Sequence, residues 1–139
     1  MKKRIEWTDD MSVRIDVIDE DHKRLIALLN FYMEAVDDDE GAIVFSNIFQ
    51  AFLDYTTYHF SREETMLAAA GYADLDTHRQ SHLGIIEQLD FMHSNVMMSA
   101  SSDMQDEVRE FLLNWLRIHI LVKDKAYSET VRLHLEAAA

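Results

Sequence analysis

The sequence predicts an all-α fold: an antiparallel up-down-up-down four-helix bundle with an irregular N-terminal arm and a short C-terminal helix. Three observations carry that reading. The chain of 139 residues has no proline and three glycines, so little in it interrupts a helix. Apolar residues recur with a period near 3.6, and strand-like alternation is scarce. The periodic segments are joined by short polar links, which make successive helices antiparallel neighbours. At this length a single domain, residues 1–139, is expected, large enough to bury a true core.

The elements follow in order. After an arm of about 17 residues that includes Trp7, the first helix is expected from near Asp19 to Val36, where Asp37-Asp38-Asp39-Glu40-Gly41 breaks it. That acidic run reads as a solvated turn, because the spaced ligands of a calcium loop are missing. The second helix runs from about Ala42 to Ala69 and stops at Gly71, a natural C-terminal residue. The third starts at Asp76 as an N-cap and continues to about Met97. Ser99-Ala100-Ser101-Ser102 forms a polar link. Asp103 then caps a fourth helix reaching about Asp124, with a short helix from Ala126 to Leu135 after it.

Each helix has an inward seam. The second presents Phe45, Phe49, Phe52, Thr56, His59, Glu63 and Met66 at alternating spacings of 4 and 3. The third presents His78, His82, Ile85, Leu89, Met92 and Val96. Val108, Phe111, Trp115, His119 and Val122 line the fourth, and His22, Leu25, Leu29, Tyr32 and Val36 the first. Every seam holds metal-ligand residue types where a plain bundle would carry leucine.

Composition limits what those residues can do. There is no cysteine, which excludes disulfides, thiolate metal sites and cysteine nucleophiles, and suits the cytoplasm. The basic start Met1-Lys2-Lys3-Arg4 is followed by polar residues, so secretion through a signal peptide is not expected. No apolar run is long enough for a bilayer. A net charge of −13 disfavours nucleic acid and anionic membranes as partners. A transition metal bound by this chain must be held by imidazole and carboxylate.

Chain position converts to height at about 1.5 Å per helical residue. His22 lies 16 residues before the turn near Asp38 and His59 lies 21 after it; His82 and His119 lie 18 and 19 residues either side of the turn near Ala100. Glu63 and His78 flank the Gly71 turn. His22, His59, Glu63, His78, His82, His119 and Asp124 therefore fall at one end of the bundle and point inward. His59 with Glu63, and His78 with His82, are i, i+4 pairs on one helical face. His119 and Asp124 are i, i+5, roughly 140° apart on an ideal α-helix, so Asp124 should reach across to a second metal and not share the direction of His119. Unpaired, these groups make a costly core. They make a good site for two borderline divalent ions, with carboxylates bridging and imidazoles completing each coordination sphere. Nitrogen-rich ligation favours reversible binding of dioxygen over its activation.

With these residues in view, the chain resembles the hemerythrin family, specifically the single-domain bacterial hemerythrins. The likeness is carried by the Trp7-containing arm, Asp19-Glu20-Asp21-His22-Lys23, His59-Phe60-Ser61-Arg62-Glu63-Glu64, His78-Arg79-Gln80-Ser81-His82 and His119-Ile120-Leu121-Val122-Lys123-Asp124. The resemblance implies a non-haem di-iron centre: His78, His82 and His119 on one iron, His22 and His59 on the other, and Glu63 and Asp124 bridging alongside an oxo or hydroxo group. It implies dioxygen as ligand, bound reversibly as a hydroperoxide at the two-histidine iron with both ions passing between ferrous and ferric, in a carrier, store or sensor. Phe60, Trp115, Leu116 and Ile120 are the expected apolar lining, since water would promote loss of peroxide. Lys123, where the family often has an uncharged residue, reads as an aliphatic stem snorkelling to solvent.

Plainer readings stand beside these. Any one histidine or helical pair alone is an ordinary structural feature; the joint pattern is what argues for metal. His93 and His134 have no partner at ligand spacing and read as surface residues. Trp115 and the Phe45-Phe49-Phe52 stripe serve mainly as core, and the methionines as flexible filler. Competing functions are a di-iron enzyme acting on peroxide, nitric oxide or dioxygen, an iron store or sensor, and a metal-free bundle. Oxygenating di-iron bundles carry more carboxylates and paired Glu-x-x-His motifs, which are missing here. The protein partner is left open.

Overall fold

The computed structural model describes residues 4–38, 42–98 and 102–138. Helix α1 spans Asp16–Asp37, α2 Ala42–Ala69, α3 Leu75–Met98 and α4 Ser102–Ile118. A π-helical stretch, His119–Asp124, then leads without a break into α5, Lys125–Ala138. The described residues contain no strand. The helices pack as a ring: α1 on α2, α2 on α3, α3 on α4, and α4 back on α1. That is the four-helix architecture the short links demand.

Two apolar clusters fill the interior, and their positions frame everything else. The larger is built from Leu25, Leu29 and Tyr32 of α1, Phe45, Phe49 and Phe52 of α2, Leu89 of α3, and Leu112 and Leu116 of α4. Tyr32 meets Phe45 and Phe49 edge to face, the arrangement that ring quadrupoles favour. The smaller cluster joins Val13, Ile15 and Ile18 to Leu67, Tyr127 and Val131. Along α2 the first cluster ends near Leu53 and the second begins near Leu67. The predicted ligand residues occupy the layer between.

The arm is irregular but pinned. Ile5 and Asn30 exchange two hydrogen bonds, at 3.1 and 2.8 Å, and Arg4 pairs with Asp37 at 2.7 Å. Asp19 accepts from the Ser12 hydroxyl and the Val13 amide, which fixes the entry into α1. Lys23 lies 5.1 Å from the Trp7 ring centre. At the other end of the site, α2 stops as its glycine foretells. Gly71 has φ +69°, Tyr72 N–H bonds Leu67 C=O, and Gly71 N–H bonds Ala68 C=O, a Schellman pair.

Several expectations need correction. Helix α1 begins at Asp16, ahead of Asp19, and α3 at Leu75, so Asp76 lies in the first turn of α3 and does not cap it. The fourth helix does not end near Asp124 before a separate short helix; it widens into the π turn and continues to Ala138. That extra width also shifts phase. Val122, assigned to the inner seam, is 61% exposed, while Ile120 is fully buried. His93 is half-buried, stacked on Phe49 at 5.5 Å and bonded to Ser46 at 3.0 Å, whereas His134 is exposed as expected. Asp39, Glu40, the Ser99–Ser101 part of the polar link and the side chain of Val96 fall outside the described residues.

Candidate metal centre

All seven predicted residues come together, each buried: His22 from α1, His59 and Glu63 from α2, His78 and His82 from α3, and His119 and Asp124 from the π segment. The i, i+4 spacings on α2 and α3 do what helical geometry requires of them.

The two carboxylates are hubs. Glu63 Oε1 lies 2.6 Å from His78 Nε2 and 3.1 Å from His82 Nε2, and Oε2 lies 3.0 Å from His59 Nε2. Asp124 Oδ2 lies 2.6 Å from His22 Nε2 and 2.9 Å from His119 Nε2. Every one of the five rings thus turns the same nitrogen, Nε2, toward an acid. The predicted 140° between His119 and Asp124 is overturned here. With i→i+5 hydrogen bonding the chain makes a wider turn, so residues five apart come round to one side.

Ligand-type atoms fall into two groups, each within 4.8 Å: His22, His59, Glu63, His119 and Asp124 in one, Glu63, His78 and His82 in the other. Glu63 belongs to both. His119 clusters with His22 and His59, although its ring is nearly as close to His82, at 5.8 Å, as to either of those, at 5.7 Å.

The donor set fits a metal, and the hydrogen bonding says why. Asp124 Oδ1 is buried with no hydrogen-bond partner, and His82 Nε2 is buried with only the 3.1 Å approach of Glu63 Oε1, outside hydrogen-bond geometry, a costly state for groups of such polarity. His59 Nε2 and His119 Nε2 lie 3.5 Å apart, facing a shared space. Two rings are held from behind. Asp21 lies 3.0 Å from His59 Nδ1, and Glu64 lies 2.7 Å from His82 Nδ1. A carboxylate at Nδ1 keeps the proton there and leaves Nε2 free to ligate. Asp21 is itself buried, accepting from the Tyr55 hydroxyl at 2.8 Å with Arg62 at 3.0 Å. Tyr127 donates to Glu63 Oε2 at 3.0 Å.

These contacts set the charges of the metal-free centre. Burial alone would lower the His59 pKa, but contact with Asp124, Asp21 and Glu63 outweighs it and holds it well above the ordinary value. Burial and the nearby Glu63 charge would raise Asp124, yet His119 and His22 bring it down to about 2. Glu63, buried likewise, is held well below the carboxylate range by its three imidazoles. His119 goes the other way, lowered chiefly by burial.

Of the expected apolar lining, Phe60 stacks on His82 at 3.7 Å and Trp115 on His119 at 5.2 Å. Both therefore cover His82 and His119 more than His22 and His59. Leu116 and Ile120 are fully buried in the larger cluster. Lys123 is exposed and bonds Ser81 Oγ at 2.7 Å. Sequence reasoning missed Asp21, Glu64 and Tyr127. Asp21 and Glu64 are acids directly beside ligand positions, where they read as surface charge, and Tyr127 had only its place three residues beyond Asp124 to mark it.

Comparison with known proteins bears on the same residues. The sequence model of the hemerythrin HHE cation binding domain matches residues 13–131, a span that includes all seven. A bacteriohemerythrin of Stenotrophomonas maltophilia is 35% identical over 133 residues, covering 96% of this chain and 85% of the relative. One from Pseudomonas aeruginosa is 33% identical over 91% of this chain and 80% of its own. A crystal structure of a hemerythrin leucine-to-alanine mutant superposes with a TM-score of 0.77 at 22% identity, covering 91% of this chain and 96% of that one, a likeness of fold.

Proposed function

The chain belongs to the hemerythrin family, and from that premise we propose that it holds two iron ions and binds dioxygen reversibly. One observation carries the reading: five Nε2 atoms from four helical segments converge on Glu63 and Asp124, each within 2.6–3.1 Å of a carboxylate oxygen. Glu63 and Asp124 would be shared by the two ions, with His78, His82 and His119 holding one and His22 and His59 the other, and the iron with fewer histidines would be the one to take the gas. The iron pair, when bound, supplies the electrons that make dioxygen binding reversible.

The chain's own residues do the rest. Asp21 and Glu64 hold His59 and His82 in the Nδ1–H tautomer and make them better donors. Tyr127 fixes one oxygen of Glu63, so the bridge keeps its orientation. Phe60 and Trp115 pack flat against two of the imidazoles and exclude water from that side. Five imidazoles to two carboxylates is a set suited to carrying or sensing dioxygen and ill suited to oxidising a substrate with it.

Anaerobically reduced, iron-loaded protein should gain a visible band on exposure to air, lose it under vacuum and regain it over repeated cycles. Irreversible bleaching on first exposure, or steady consumption of dioxygen with an added reductant, would instead favour an enzyme.

A further inference from the structure

Helices α1 and α2 carry a second apolar seam on the side turned away from the core. Along α1 and its C-cap, Arg24, Ala27, Phe31, Glu34 and Asp38 share one exposed face at spacings of 3 and 4, with Ala27 and Phe31 its apolar members between charged ends. Phe31 is 60% exposed at the middle of it. A groove lies on each side of this ring. The one toward the metal centre, about 450 Å³, is lined by Arg24, Ala27, Leu28, Ala51 and Tyr55 along with Phe31. The other, about 300 Å³, passes between Ala35 and Ile48 and is edged by Glu34 and Asp38. A free phenyl ring beside a groove walled by two alanines is a knob beside a hole.

We propose that this face is a two-fold interface between two copies of this chain, with α1 crossing α1 antiparallel and each Phe31 seated in the Ala27–Ala51 groove of the other copy. Charge complementarity fixes the occupant and the register. Phe31 with Ala27, and Glu34 with Arg24, are both symmetric about position 29, so an antiparallel two-fold crossing that seats the rings also sets Arg24 of each copy against Glu34 of the other. Arg24 and Glu34 make no ion pair among the described residues, whereas Asp37 on the same helix already holds Arg4 and Arg109. A parallel crossing would place Arg24 against Arg24 and Glu34 against Glu34. A net charge of −13 opposes unspecific association of two copies, so contact is confined to a patch with both an apolar knob and opposite charges. The groove wall includes Tyr55, whose hydroxyl holds Asp21 beside His59, so docking abuts the hydrogen-bond chain behind the centre without entering it. The interface stands whatever metal the centre holds.

Sedimentation equilibrium of the full chain, metal-loaded and metal-free, from about 1 μM to about 1 mM tests it. The mass should rise from one chain to two with concentration. Phe31→Glu should abolish the dimer, and Arg24→Glu or Glu34→Arg should each weaken it about tenfold. The double variant Arg24→Glu/Glu34→Arg should restore it, because the pair is re-formed with its charges exchanged. All these positions are solvent-exposed, and far-ultraviolet circular dichroism should show unchanged helix content. A wild-type chain that stays monomeric throughout, a dimer indifferent to Phe31→Glu, or a double variant no tighter than the single ones would overturn the proposal.

Discussion

His59 concentrates the chemistry of the site in one ring. Its Nε2 faces Glu63 and its Nδ1 faces Asp21, so what the ring offers inward is decided by an acid it meets outward. Asp21→Asn keeps the shape and removes the charge, and it should lower metal affinity by about 10- to 100-fold in a chelator competition. Nitrogen-15 spectra of the metal-free variant should show a shifted His59 tautomer balance, and identical spectra would mean that Asp21 does not position the ring. His119→Ala removes an imidazole of the larger ligand group whose ring is nearly as close to His82 as to His22 and His59, and iron per chain should fall by half or more; full occupancy would contradict its assignment. The same residues make metal-free stability depend on pH from both sides. Glu63 and Asp124 titrate below their ordinary values of 4.5 and 3.8, so their contribution is present above those and lost as pH falls, for Asp124 toward about 2. His59 and His78 titrate above 6.5, so theirs is present below that value and lost as pH rises through the higher folded one. His119, lowered by burial, works the other way and costs stability as pH falls below 6.5, so the metal-free Tm should peak near 6.5. Metal needs unprotonated imidazole, so the gain in Tm on loading iron should grow with pH across neutrality. A flat metal-free profile would show that these contacts do not form.

At the scale of the element, two turns separate what the sequence made legible from what it hid. Gly71 was legible because only a residue at ease with positive φ ends a helix in this way, and the hydrogen bonds of residues 66–72 bear that out. A Cβ added there meets nothing within 4 Å, so Gly71→Ala should cost only the backbone term, about 1 kcal/mol, and lower Tm by about 3 °C with metal content unchanged. A larger loss, or loss of metal, would mean that the turn sets the height of Glu63 and His78 less rigidly than its geometry implies. The π stretch was hidden. His119-Ile120-Leu121-Val122-Lys123-Asp124 carries no residue that forbids an α-helix, so periodicity at 100° per residue put Val122 inside and sent Asp124 away from His119. The seven polar residues in one layer were correct, because that inference used only chain lengths between turns. The two outward acids, Asp21 and Glu64, were not, because their roles depend on which ring nitrogen faces them, and spacing says nothing of that.

For the whole molecule, the centre is a polar layer clamped between two apolar clusters, with the larger ending at Leu25, Leu53 and Ile120 and the smaller beginning at Ile18, Leu67 and Tyr127. Neither cluster alone joins all four main helices at the level of His22 and His82, so the layer must bind itself together. Without metal it does so through carboxylate–imidazole contacts and leaves His22 Nδ1 and Asp124 Oδ1 without a hydrogen bond. Removing the proposed ions should consequently loosen this end of the bundle first, with amides of residues 59–63 and 78–82 exchanging faster than those around Phe49 and Leu112. The central claim, that seven side chains from different helices form one dinuclear centre, is tested most directly by anomalous diffraction at the iron edge from crystals of iron-loaded protein. Two peaks lying between Glu63 and Asp124, with all five histidine Nε2 atoms turned toward them, is the result expected. A single peak, or iron bound away from either carboxylate, would contradict it.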